Sequence, residues 1–241
     1  TEDRGIYMPH IWTTSFYANP NIGLYAFATD SYCLVGYDFR KSIRKKIEDV
    51  LKVPVHHVTM LGTAMTGVFC AGNNSCLLVP SIAFEEELAE LDRLGIKYRV
   101  IDTKLTALGN NILCNDHGCI INPDFTEKEQ KQIGDALGTK PLVSEIAGVK
   151  TAGSAAAINQ THCLVHRDAQ EKDLDIIRKT LNVEADTGTI NMANPYIKSG
   201  IVCNKHGIII GDISGGPEVT HADDVLGYLE REGNKSGSGG D

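Results

Sequence analysis

Five leucines, Leu51, Leu94, Leu137, Leu181 and Leu226, recur at spacings of 43, 43, 44 and 45 residues, and 18 residues before each stands Cys33, Cys76, Cys119, Cys163 or Ile208. A period of this length marks a repeat architecture, in which one supersecondary unit cannot bury its own apolar face and leans on its neighbours. The chain reads as one unit used five times, over about 21–60, 61–103, 104–147, 148–190 and 191–230. Together these make a single domain, with an N-terminal extension (1–20) and a Gly/Ser-rich tail (231–241) expected to be flexible. A residue that recurs at a fixed place in every copy is explained more economically by packing than by chemistry performed once.

The third copy spells out the unit. Asn111–Cys114 is strand-like, Asn115-Asp116-His117-Gly118 is a tight turn, and Cys119-Ile120-Ile121 is a second apolar strand, which together predict a hairpin. Thr126 and Glu129 have capping-box spacing, Ile133, Ala136 and Leu137 share one helical face, and Gly138 is placed to end the helix. Pro141-Leu142-Val143 then starts another extended segment. One-sided helices also follow from Ile43, Ile47, Val50 and Leu51, from Leu88, Leu91 and Leu94, and from Leu174, Ile177 and Leu181. Their outer faces are acidic, so the helices should ring the outside while short strands line the middle. The terminal copies lack a polar capping unit, which favours closure into a disc over an open solenoid.

A formal charge of −8 argues against broad binding to phosphate backbones and favours a basic protein partner. One patch runs the other way: Arg40, Lys41, Arg44, Lys45 and Lys46 crowd the first helix, read as a solvated helix face with local nucleic-acid contact as the alternative. No run approaches the roughly 18 apolar residues of a membrane span, and the start does not resemble a signal peptide, so a soluble, intracellular protein is expected. Seven cysteines cannot all pair within the chain. Their recurrence at strand positions reads as reduced core residues.

The apparent chemical constellations give way to bland readings. Cys114, His117 and Cys119, with His206 near Cys203 and His162 and His166 beside Cys163, lack the spacing of a zinc site, and His56 and His57 point to opposite strand faces. No metal and no cofactor are expected. The loop Asp212–Glu218 has no P-loop lysine and reads as a helix start with Pro217 in its first turn. Asn73-Asn-Ser75 and Asn159-Gln-Thr161 match glycosylation acceptors only by chance.

Several segments carry a family resemblance: Thr106-Ala-Leu-Gly-Asn110 followed by Cys114-Asn-Asp116, Gly153-Ser154 through Cys163-Leu-Val-His166, Gly188-Thr189-Ile190-Asn191, and Gly216-Pro-Glu218 leading to Asp224-Val-Leu-Gly227. From Asn21 to about Leu229 the chain resembles the translation initiation factor 6 family, ribosome anti-association factors of archaea and eukaryotes, in their archaeal form. The resemblance implies an α/β pentein fold, a five-fold pseudosymmetric propeller of β-hairpin-plus-helix units, and no catalysis.

It further implies a monomer that binds the intersubunit face of the large ribosomal subunit, near ribosomal protein L14 and the sarcin-ricin loop of rRNA. There it would block small-subunit joining, with a role in large-subunit biogenesis and release by a translational GTPase with an adaptor. The expected location is the cytoplasm, and also the nucleus and nucleolus in a eukaryote. Binding candidates on this resemblance are Val68, Leu108, Asn110, Ser154, Ala155 and Lys198, with Asn110 matching the family's interface asparagine. At Val68 and Ala155 eukaryotic relatives often carry Arg and Tyr. The rival reading is a pentein guanidino-group-modifying enzyme with Cys203 as nucleophile, His162 or His221 and Asp116 or Asp212 as helpers.

Overall fold

The structure, a computed structural model, describes residues 7, 8 and 10–229. Two strands, β1 (Tyr7–Met8) and β2 (Ile11–Thr14), come first. Four units follow, each with an inner strand, a middle strand, a helix and an outer strand. They are β3 (Ala26–Ala28), β4 (Cys33–Val35), α1 (Lys41–Leu51) and β5 (Val55–His57); then β6 (Ala71–Gly72), β7 (Leu77–Pro80), α2 (Glu85–Arg93) and β8 (Tyr98–Ile101). Next come β9 (Ile112–Cys114), β10 (Cys119–Ile121), α3 (Glu127–Leu137) and β11 (Pro141–Val143); then β12 (Ala156–Ile158), β13 (His162–His166), α4 (Glu171–Leu181) and β14 (Glu184–Gly188). The fifth unit supplies β15 (Ile201–Cys203), β16 (Ile208–Gly211) and α5 (Gly216–Val225). In every unit the inner and middle strands form the expected antiparallel hairpin, and in the first four the outer strand returns parallel to the middle one.

The middle strands are apolar on both faces because both are covered. Cys33 and Val35 of β4 lie under their own helix with Ile47, Val50 and Leu51, and Ile209 of the preceding sheet joins the same core. The pattern repeats around the molecule: Leu34 packs into the core of unit 2, Leu78 into that of unit 3, Ile120 into that of unit 4 and Leu164 into that of unit 5. Five cores thus lie between consecutive sheets, each built by two units. This is the burial that no unit could achieve alone.

The leucine ladder marks helix ends. Each leucine is followed by a residue in the left-handed region: Lys52 (φ 55°), Gly95 (69°), Gly138 (69°), Asn182 (51°) and Gly227 (73°). The cysteine ladder holds with one correction. The strand pairs Ala28↔Cys33 and Gly72↔Leu77 are equivalent, so the rung in unit 2 is Leu77. Only 17 residues separate Leu77 from Leu94, so counting back 18 overshoots to Cys76, the last turn residue, whose N–H bonds the Asn73 side chain at 3.2 Å.

A buried asparagine clamps each unit but the first to the next helix end. Asn115 accepts from the amides of His117 and Gly118 through Oδ1 and donates through Nδ2 to the Leu181 carbonyl at 2.8 Å. Asn73 reaches Leu137, Asn159 reaches Leu226, and Asn204 reaches Leu51 across the closure. In unit 1 the place belongs to Thr29, whose hydroxyl caps its own turn through the amides of Ser31 and Tyr32. A side-chain amide accepts from the turn through its oxygen and donates to the helix end through its nitrogen at once.

Ring closure differs from expectation in one respect. Residues 1–20 read as an extension outside the repeats, yet Ile11–Thr14 is the outer strand of the fifth sheet, parallel to β16 in the register Ile208↔Ile11 to Gly211↔Thr14. Trp12 and Phe16 share the core of unit 1, so the first and last units interlock. Strand β1 adds a fourth strand to this sheet, and the buried His10 Nε2 lies 3.0 Å from an Asp223 carboxylate oxygen. The tail 231–241 lies outside the described residues.

Asn115→Asp keeps the acceptor but cannot donate to Leu181. It should cost about 2–3 kcal/mol in urea unfolding, as expected when a buried carbonyl loses its donor and faces a carboxylate. A loss below about 0.5 kcal/mol would remove the clamp from the account of stability.

Candidate functional site

The inner strands surround a central channel, and its two mouths are chemically different. At one mouth the backbones of the five units meet almost at contact. A Cβ on Gly67 would stand 2.0 Å from the Gly23 carbonyl oxygen, one on Gly109 2.2 Å from that of Gly67, and one on Gly153 2.3 Å from that of Gly109. A Cβ on Gly23 would lie 1.8 Å from the Lys198 oxygen, which closes the ring. Lys198 is therefore the fifth member of a glycine ring, and its side chain lines the channel with Cys114 and Cys203. The cavity there holds about 90 Å³, room for several waters, and a smaller one of about 40 Å³ lies toward the hairpin turns.

The hairpin mouth is a ring of side chains bonded to neighbouring backbones. Asn74 Oδ1 accepts from the Asp30 amide at 2.9 Å, Asp116 from Asn74 at 2.9 Å, Gln160 from Asp116 at 3.2 Å, and Asp30 from Lys205 at 2.9 Å. Both carboxylates are spent on this ring.

At the glycine mouth, the residue after each ring member is half-buried on the same short turns: Leu24, which packs against the core of unit 1, then Val68, Asn110, Ser154 and Ser199. Three of the sequence candidates, Val68, Asn110 and Ser154, thus belong to one rim. The Ser154 amide bonds the Asn110 carbonyl at 3.0 Å, which sets these two side by side. The Ser154 hydroxyl is spent on Thr151. The Asn110 side chain, by contrast, has no hydrogen-bond partner among the described residues, while its neighbour Asn111 does the capping through the Ala107 carbonyl at 2.8 Å. Leu108 and Ala155 are corrections: both are fully buried (0% exposed), because their turns point them into the cores, and neither can reach a partner. Lys198 lies in the channel rather than on the rim.

The turns just outside this rim are braced by carboxylates that sequence reasoning missed. Glu87 accepts from the amides of Leu61 and Gly62, each at 2.9 Å, and from that of Phe84 at 3.1 Å. Glu218 does the same for Met192 (3.1 Å), Ala193 (2.8 Å) and Gly215 (3.1 Å). Burial pushes the Glu218 carboxyl up, but the Thr189 hydroxyl and these amides outweigh it and hold it below the usual range. The acid at the third position of every helix but the first was the available signal.

The channel does not assemble a nucleophile. Cys203 donates its thiol to the Ile158 carbonyl at 3.5 Å, and burial pushes its pKa up to about 12, against the pull of Lys198. A thiol in that state is not a thiolate nucleophile at neutral pH. None of the proposed helpers gathers around it. His221 bonds the Thr187 carbonyl at 2.8 Å, the His162 ring packs on Gly227, Asp116 serves the hairpin ring, and Asp212 follows β16. All seven cysteines are free, and no group of three His, Cys, Asp or Glu residues among the described ones could hold a metal. No helix among them is long and apolar enough to cross a membrane.

Five hairpin-plus-helix units closed around a narrow channel, with one rim of half-buried polar and apolar side chains, define a pentein-fold protein of α/β class. A sequence profile of the eIF-6 family matches residues 11–225, from the strand that closes the ring to the end of the last helix. The chain belongs to that family. Translation initiation factor 6 of Thermococcus onnurineus is 32% identical over 92% of this chain and 100% of its own length, that of Pyrococcus furiosus 33% over 91% and 100%, and that of Sulfolobus acidocaldarius 33% over 85% and 93%. Among solved structures, the N-terminal domain of ArgZ with a bound reaction intermediate aligns over 70% of this chain and 67% of its own, with a TM-score of 0.46 and 8% identity. That partial likeness bears on neither activity nor substrate here.

Burial lowers the Lys198 pKa, opposed by the thiols of Cys114, Cys203 and Cys70. The unfolded chain then holds this proton more tightly than the folded one. The folded state therefore gains stability as pH rises from the lowered value towards the ordinary lysine range near 10.4. Lys198→Met should abolish this gain, so the stability of the unmodified chain relative to the variant should rise as pH approaches the ordinary lysine range in urea unfolding. A pH-independent difference would contradict the buried-amine assignment.

Proposed function

We propose that the protein is a non-catalytic ring that binds the large ribosomal subunit on its intersubunit face and sterically prevents joining of the small subunit, with a part in large-subunit biogenesis. The observation that carries this reading is the Asn110 side chain, half-buried on the rim and without an internal partner, in a chain of the eIF-6 family. A buried-edge amide that caps nothing in its own turn is available to a partner. The formal charge of −8 supports a basic partner, for which ribosomal protein L14 beside the sarcin-ricin loop is the candidate, since complementary fields speed encounter and fix orientation.

The contact residues in this reading are Val68, Asn110 and Ser154, with Leu24 and Ser199 completing the rim. The protein acts as a monomer in the cytoplasm, or also in the nucleus and nucleolus if the source is eukaryotic, and a translational GTPase with an adaptor releases it. Sedimentation of purified subunits tests this. The protein should migrate with the large subunit and reduce the joined-ribosome peak, and Asn110→Ala should weaken large-subunit binding by roughly tenfold, the scale of a central polar interface residue. Absence from the large-subunit fraction with an unchanged joined peak would overturn the reading.

A further inference from the structure

We propose that the edge of unit 1, where the exposed Tyr17 ring stands beside the basic start of α1, is a contact for an unpaired stretch of RNA. Tyr17 is 68% exposed yet firmly held. Its ring centroid lies 4.5 Å from that of Tyr37 and 6.0 Å from that of Phe39, stacked on the latter at 20°. Behind it Tyr37 packs on Tyr25 at 5.0 Å and Phe39 on Phe16 at 4.6 Å, and Asn19 donates to the Tyr25 hydroxyl at 2.7 Å. One face of a pre-organised aromatic stack is thus open to solvent, as a base-stacking platform requires.

The second observation comes from the internal symmetry. The turn Tyr17-Ala18 has φ of 51° and 62°, like the turns at Leu61-Gly62 and Met192-Ala193. There, both amides bind a carboxylate from the third position of the following helix, Glu87 or Glu218. In unit 1 that position is Ile43, and the amides of Tyr17 and Ala18 have no acceptor among the described residues. The slot that takes an anion from the chain itself in units 2 and 5 is left for an external one.

The surrounding charge selects the occupant. Arg40 and Lys41 are exposed, follow directly on Phe39, and pair with no carboxylate among the described residues. Arg44 is tied to Asp38 and to the Phe39 carbonyl, and Lys46 lies over the Trp12 ring at 5.2 Å. The turn Ala147-Gly148 of unit 4 also lacks a carboxylate clasp, but it opens on three carboxylates, Glu145, Asp168 and Asp173, against one cation, Lys172, and no aromatic ring lines it. Among the described residues, free amides, free cations and an open aromatic face come together only in unit 1. That combination fits a phosphate and its neighbouring base better than an acidic peptide, which has no use for the ring.

The site does not rest on the large-subunit reading, since isolated protein and a short oligonucleotide suffice to test it. Fluorescence anisotropy with a labelled oligoadenylate of about a dozen nucleotides should show saturable binding at low salt. Tyr17→Gly, which adopts positive φ without strain, should weaken it roughly tenfold, while Tyr17→Phe should keep it within about twofold. Arg40→Ala with Lys41→Ala should reduce the salt slope by about one to one and a half. No saturable binding, equal binding by Tyr17→Gly, or equally effective displacement by polyglutamate would each overturn the proposal.

Discussion

The parallel pairing of β2 with β16 is the constraint on which the rest depends. It joins residues roughly 200 positions apart, so its entropic cost of closure is among the largest in the chain. Without it the fifth sheet would lack its outer strand, and the core shared by Trp12, Ile209 and the helix of unit 1 would be open. With it, every unit has two neighbours and no apolar end remains. The asparagine clamps repeat the same logic in polar form, the last of them crossing the closure from Asn204 to Leu51.

Closure also determines what the molecule can do. The inner strands are drawn so close at one mouth that four of five ring positions exclude any side chain, and the fifth, Lys198, projects into a channel lined by unreactive thiols. Chemistry in the channel is thereby discouraged. The rim outside it is set by the same turns, and its side chains are presented at fixed positions by five rigid units. A surface of this kind favours recognition with little reorganisation.

Much of this was legible in the sequence because repetition makes packing visible. The leucine ladder located five helix ends, and Thr126, Glu129 and Gly138 gave the start and stop of α3 as the structure has them, with the Glu129 carboxylate on the Thr126 amide at 2.6 Å. What failed was whatever depended on one unit differing from the rest. Unit 2 is a residue shorter between strand and helix end, which misassigned Cys76. The outer strand of unit 5 comes from the opposite end of the chain, so no local period could reveal Ile11–Thr14. Leu108 and Ala155 were chosen from position in a motif, and motif position says nothing of which way a turn directs its side chain. The Gly23, Gly67, Gly109 and Gly153 series, spaced by 44, 42 and 44 residues and followed 45 later by Lys198, was present but hidden among 24 glycines.

In the proposed function the glycine-mouth rim of the closed ring is the binding surface. Hydrogen–deuterium exchange of the protein, free and bound to large ribosomal subunits, tests it most directly. Exchange should slow on binding in the turns 66–69, 108–111, 151–155 and 197–200, with the hairpin turns around Asn74 and Asp116 unchanged. Protection confined to the hairpin turns, or none in either set, would contradict it.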